Sequence, residues 1–248
     1  MSKTTNYSYG GIAFILLVFG IIFIPKIIDR VSKDDITRDE SRSQELSTST
    51  RTNKSDLAYL EINNQPKKVP AFSFVNQDGK TITNADYLGK VYIVEFFFTT
   101  CPTICPRMSR NLVDIQDEFK DFNDFGVASF TINPEMDTPE VLKAYAEKYK
   151  VSNPNWHFMT GKEKTIYDLA NNGFTIYAGK NAEVEGGFEH SGNFALIDKE
   201  GFIRSRKDAF GNPMIYYRGV VSEEEQEDDG EKEQISILKE DIAKLLNE

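Results

Sequence analysis

An almost unbroken apolar run, Val91-Tyr-Ile-Val-Glu-Phe-Phe-Phe98, ends just before the chain's only two cysteines, Cys101 and Cys105. Such a run of branched and aromatic residues predicts a central strand buried on both faces. Beyond it, Met108, Leu112, Ile115 and Phe119 recur at helical spacing, which predicts a helix over Pro106 to Phe119. The cysteine pair therefore sits where a buried strand turns into a helix. Cysteines four apart on a helix place both sulfurs on one face, close enough to share a metal or to close a disulfide.

The remaining pattern extends this unit into a layered α/β domain. Phe72–Val75, a turn at Asn76-Gln-Asp-Gly79, and Lys80–Ile82 read as a hairpin. Val127–Ile132 reads as a second strand. A helix begins at Thr138-Pro-Glu, with Val141, Leu142, Tyr145 and Tyr149 in period. A shorter helix is expected over Lys162–Asn171, ending at Gly173. Phe194–Asp198 and Phe202–Arg206 flank a turn at Lys199-Glu-Gly201, and Ile235–Leu246 resumes helical spacing. This order implies a central mixed sheet flanked by helices, with the globular domain spanning 66–248 and an acidic, apolar-free loop at 223–233.

Two segments precede that domain. Gly10 to Ile24 carries no charge, and apolar character continues toward residue 28. This is short against the about 20 residues of a bilayer span, yet no small-residue cleavage pattern follows it, so a membrane anchor helix over about 10–28 within segment 1–31 is expected. Residues 32–65 are polar and charged, and they read as a flexible tether. Lys26, Arg30 and Lys33 follow the anchor while Lys3 alone precedes it, which by the positive-inside rule places the domain in the cytoplasm. The net charge of −10 and the absence of a basic stripe exclude nucleic acid as a partner on electrostatic grounds.

The cysteines admit three readings. A structural disulfide would close a very small loop and constrain the unfolded chain little. A redox pair would benefit from the helix N-terminus, which lowers a thiol pKa. A metal pair would offer two soft sulfurs, suited to Cu(I) and also to Zn(II). Of the two histidines, His157 lies among aromatic residues and reads as packing. His190, in Gly186-Gly-Phe-Glu-His-Ser-Gly192, leads into the Phe194 strand of the sheet that presents the cysteines. Two thiolates and one imidazole suffice for Cu(I), whereas structural zinc normally takes a fourth ligand that the sequence does not offer. Met108 and the aromatics of the Val91–Phe98 run are assigned to the core, while Met136 and Met159 add only soft thioethers.

Three segments carry a resemblance to the Sco/SenC family of membrane-anchored, thioredoxin-like copper proteins that help build the dinuclear copper centre of cytochrome c oxidase. Phe96 to Pro106 resembles the family's C-x-x-x-C-P copper-binding segment. Thr131 to Pro139 resembles its D-P-x-x-D-T-P segment, and Glu189-His-Ser191 its D-H-S segment. The resemblance covers about Pro66 to Leu246. It implies a thioredoxin-like α/β fold with an N-terminal transmembrane helix. It further implies that Cys101, Cys105 and His190 hold a copper ion as Cu(I) or Cu(II), and that the two cysteines form a redox-active pair with a disulfide when oxidised. Asn133 and Glu189 stand where the family usually has Asp. Asp137 keeps the family residue, either as a group that orients the site or as a helix cap. Implied partners are the copper-bearing oxidase subunit, a copper donor, a thiol reductant and the membrane. The implied location is a bacterial inner membrane with the domain facing the periplasm, against the flanking charges. Two alternatives stay open: a thioredoxin- or peroxiredoxin-like thiol oxidoreductase without a physiological metal, and a redox or copper sensor.

Overall fold

The computed structural model describes residues 13, 16–21, 23–24, 55–208, 210–224 and 232–248. The chain divides into two compact units, Met1–Arg51 and Thr52–Glu248. In the first, the described residues between 13 and 24 are helical, and Leu16, Leu17, Phe19, Ile21, Phe23 and Ile24 are exposed. Among the described residues no helix is long and apolar enough to cross a membrane. The rest of the expected anchor, tether residues 32–54 and acidic residues 225–231 lie outside the described residues.

The second unit is built on strands β1 (Ala58–Tyr59), β2 (Glu61–Ile62), β3 (Gln65–Pro66), β4 (Ser73–Asn76), β5 (Thr81–Thr83) and β6 (Val91–Phe97). Helix α1 (Cys105–Glu118), β7 (Phe125–Thr131), α2 (Pro139–Lys148) and β8 (Trp156–Thr160) follow. Helix α3 (Glu163–Asp168) runs on into a wider π turn, Leu169–Phe174. The chain closes with β9 (Ala178–Lys180), β10 (Phe188–His190), β11 (Asn193–Ile197), β12 (Ile203–Ser205), β13 (Tyr217–Arg218) and α4 (Ile235–Leu246). The main sheet has the order β1-β12-β11-β6-β7-β8-β4-β5, with β13 paired to β11. The β6–β7 and β7–β8 pairs are parallel and the others antiparallel, so the sheet is mixed as expected.

Every residue of β6 and β7 is buried, which is the physical reason for the unbroken apolar run. One face of β6 turns Phe97 against Tyr145 of α2 and Phe158 of β8. The other turns Phe96 against Phe130 and against Phe174 of the π turn. Helix α4 packs on β6 and α1, burying Leu238, Ile242 and Leu245. The expected turns fall where glycine adopts a left-handed backbone, at Gly79 (φ 72°) and Gly201 (φ 82°). Strand β8 and the β9–β10 hairpin were not foreseen. In β8 four of five residues are buried, so no alternation marks it.

Residues 55–65, assigned to the tether from sequence, belong to the globular unit. Their hold is Arg204, fully buried on β12. Its guanidinium donates to Asp198 at 2.9 Å, to the Leu57 carbonyl at 3.1 Å, to Ser55 Oγ at 3.2 Å and to Glu248 at 3.3 Å, and it lies 4.1 Å from the centre of the Tyr59 ring. Removing it strands the buried Asp198 carboxylate without its cation. Arg204→Ala is expected to lower the unfolding free energy by about 3–5 kcal/mol, measured by urea titration. A loss below about 1 kcal/mol, the worth of a surface pair, would contradict this role.

Candidate metal centre

The end of β6 and the entry to β11 are brought together by strand register. Antiparallel pairing sets Ala195 opposite Val94, Leu196 opposite Ile93 and Ile197 opposite Tyr92. The chain entering β11 therefore runs beside the residues that leave β6 for the cysteine loop. His190 is the last residue of β10, three before β11, and the β10–β9 pair sets it opposite Ala178. His190 thus reaches the site on a separate two-stranded hairpin rather than on a loop of the main sheet.

Cys105 opens α1 and Cys101 lies in the loop before it. The Cys105 backbone N–H points at Cys101 Sγ, 3.4 Å away, so the free donors of the helix N-terminus face a sulfur. Cys105 Sγ is 3.1 Å from His190 Nε2. His190 Nδ1 lies 3.2 Å from the Ser191 carbonyl oxygen, which can only accept, so the ring proton belongs on Nδ1 and Nε2 is left bare. The three ligand atoms lie within 4.8 Å of one another, and among the described residues no other group of at least three His, Cys, Asp or Glu side chains is gathered so closely. Both cysteines are free thiols. The sulfurs differ. The Cys101 thiol is held well below the usual thiol range by the hydrogen bond from the Cys105 side chain, helped by backbone N–H groups. Burial drives the Cys105 thiol up.

A cavity of about 200 Å³ opens onto this group, lined by Phe98, Cys101, Ile104, Val184, Phe188 and His190 among others. The 181–187 turn closes its side through Gly186 (φ 90°), where a Cβ would come within 3.1 Å of the Phe98 ring and 3.2 Å of Pro102. Two soft sulfurs, one bare imidazole nitrogen and an adjoining cavity fit a copper ion, with Cys101, Cys105 and His190 as its holders.

Asp137 is fully buried, and it caps no helix, since Thr138 takes the N-cap position of α2. Its carboxylate accepts from the Thr99 N–H at 3.1 Å and from the hydroxyls of Thr99 and Thr131. Thr131 Oγ1 in turn accepts the Asn133 N–H at 3.0 Å. Asp137 thereby clamps the chain two residues before Cys101, and Asn133 serves through its backbone. Thr99 and Thr131 had no signal in the sequence, because each acts only through a carboxylate that the fold delivers. Met108 and Met159 are buried in the core, Met136 is exposed, and His157 pairs with Asn76 and Tyr87 away from the cysteines. Asp137→Asn would set an amide N–H against at least one of these donors. It is expected to lower the unfolding free energy by about 1–3 kcal/mol and to speed amide hydrogen exchange at Thr99 and Cys101. Unchanged exchange at those two residues would remove the clamp from the account.

With this geometry in place, similarity to known proteins is informative. The SCO1/SenC family model matches residues 61–222. The SCO1 protein homolog of Bacillus subtilis is 35% identical over 158 residues, which is 63% of this chain and 80% of that protein. A SCO1/SenC family lipoprotein of Bacillus anthracis superposes with a TM-score of 0.60 at 28% identity, over 72% of this chain and 95% of that one. The structure of BsSco, described as a Sco-family cytochrome c oxidase assembly protein with a disulfide switch, gives 0.59 at 28% identity over 79% and 98%. The chain belongs to the SCO1/SenC family.

Proposed function

We propose that this chain is a copper-binding assembly factor for the dinuclear copper centre of cytochrome c oxidase. The observation that carries the reading is the gathering of Cys101 Sγ, Cys105 Sγ and the bare Nε2 of His190 within 4.8 Å. Thiolate sulfur suits Cu(I), and adding imidazole makes a set that also accepts Cu(II). Family membership and the assembly role described for BsSco support the same direction. In this role the domain takes copper from a donor, holds it on three side chains and passes it to the copper-bearing subunit of the oxidase. The reading places the domain in the periplasm, held to a bacterial inner membrane by the helix expected over about 10–28.

The unequal sulfurs favour a second activity of the same pair, thiol–disulfide reduction of the client cysteines. Cys101, with its lowered pKa, attacks a client disulfide and releases one client thiolate. Cys105 then attacks the mixed disulfide, freeing the second client thiol and closing the Cys101–Cys105 bond. Each cycle oxidises the pair, so a thiol reductant must restore it before copper binds again.

Titration of the reduced full chain with Cu(I) tests the site. One copper per chain is expected, with affinity at least tenfold weaker in His190→Ala and stoichiometric binding lost in Cys105→Ser. Equal affinities for wild type and His190→Ala would refute a three-ligand site. Topology is tested separately. A C-terminal reporter active only outside the cytoplasm is expected to be active, and silence there would place the domain on the other side as the flanking charges direct.

A further inference from the structure

The cavity beside the cysteines contains more than the three ligands use. Its lining includes two carboxylates, Glu185 and Glu189, and four apolar side chains, Phe98, Ile104, Val184 and Phe188. Its volume of about 200 Å³ exceeds what one ion and a water fill, since a water takes about 30 Å³ in the liquid. Neither carboxylate belongs to the Cys101–Cys105–His190 group, and hard oxygens are poor partners for Cu(I). The Phe98 ring lies 5.2 Å from that of Phe188 and 6.0 Å from that of His190, so the apolar wall reaches a ligand.

The 181–187 turn gives this mouth a fixed shape. Asn181 Oδ1 accepts the Glu183 N–H at 3.0 Å, and the Asn181 N–H donates to the Gly187 carbonyl at 3.0 Å. Asn181 Nδ2 donates to the Glu189 carboxylate at 3.0 Å, which ties the turn to the strand that ends in His190. Val184 and Glu185 are thereby held out at the lip, both exposed. Among the described residues no lysine or arginine pairs with Glu185 or Glu189. Lys180, on the same hairpin, is engaged by Glu163 at 2.6 Å and Glu135 at 3.6 Å. The mouth therefore presents two uncompensated negative charges beside an apolar cleft that Cys101 lines.

We propose that this cleft is the docking site for the client segment, and that it selects a cysteine flanked by an apolar residue and by a lysine or arginine. The assignment rests on the reading of Cys101 as the thiol that meets a client cysteine. The client sulfur comes to Cys101, and the apolar side chain enters between Phe98, Ile104, Val184 and Phe188. The basic group lies against Glu185 and Glu189. Burial of the apolar side chain supplies affinity. The rim charges speed encounter and turn away acidic segments. The net charge of −10 favours a partner of the same positive sign, and the rim places that preference beside the sulfur.

The test uses three capped peptides, Leu-Cys-Lys, Leu-Cys-Glu and Ser-Cys-Lys, each with its cysteine joined to thiopyridine as a mixed disulfide. In the reduced full chain Cys101 attacks the peptide sulfur. The Cys101–peptide bond forms, the bond to thiopyridine breaks, and the leaving thiolate takes up a proton to give the thione read by its absorbance. Leu-Cys-Lys is expected to react at least about fivefold faster than either other peptide at low salt. The lysine-over-glutamate ratio should fall below about twofold in 1 M NaCl, where screening acts beyond about 3 Å, a result that needs no variant. It should fall equally in Glu185→Gln with Glu189→Gln, and persist in Glu61→Gln with Glu200→Gln, which removes two charges from outside the cavity lining. An unchanged ratio in the rim variant, or an equal loss in the control variant, would overturn the acidic rim. Equal rates for the leucine and serine peptides would overturn the apolar cleft. Neutral dipyridyl disulfide separates the premise from the proposal. A chain that reacts with it yet treats the three peptides alike keeps its reactive thiol and loses the docking site, and a chain that reacts with none of them loses both.

Discussion

The site depends above all on the antiparallel register of β11 against β6. Pairing Ala195 with Val94 makes the chain that enters β11 pass the end of β6, where the cysteine loop begins. A slip of one residue would reverse which face each β11 side chain presents and displace His190 from Cys105. The register is secured by burial, since Phe194, Ala195, Leu196 and Ile197 are all inaccessible to solvent. The energy that holds the ligands together is therefore spent in the core of the sheet, away from the ligands.

On that frame, small local differences give the two sulfurs different work. Cys101 stands outside the helix with a backbone N–H aimed at it, while Cys105 is the first helical residue and is buried. The same four-residue spacing that gathers both sulfurs beside His190 thus also pairs a thiol of lowered pKa with one whose pKa burial raises. His190 contributes a defined tautomer, because its other ring nitrogen faces a carbonyl. Asp137 is remote from the sulfurs along this path, yet it restrains the loop through Thr99.

Much of this was legible before folding. The strand at Val91–Phe98, the helix after it, α2, α4 and two hairpins follow from periodicity and turn residues. Cys101, Cys105 and His190 follow from softness and spacing together with the family resemblance. Strand β8 was not legible, because Trp156–Thr160 is buried on both faces and too short to carry a period. The β9–β10 hairpin was hidden for a related reason. Its strands are three residues each and owe their pairing to each other and to the packing of Gly186 on Phe98. Asp137 could be read as a cap or as a support for the site; the fold gives the cap position to Thr138 and turns the Asp137 carboxylate to Thr99 and Thr131.

The sequence by itself determined which chemistry the chain can hold, since two thiols and an imidazole are a property of residue type and survive any fold that gathers them. It also determined the local elements, whose hydrogen bonds and apolar faces are set by neighbours a few residues away. Tertiary structure alone decided that His190, 85 residues beyond Cys105, stands 3.1 Å from its sulfur. It alone made Arg204 the clamp of the first strand. Those roles depend on desolvation and on partners supplied by other strands, and neither is encoded within one stretch of chain.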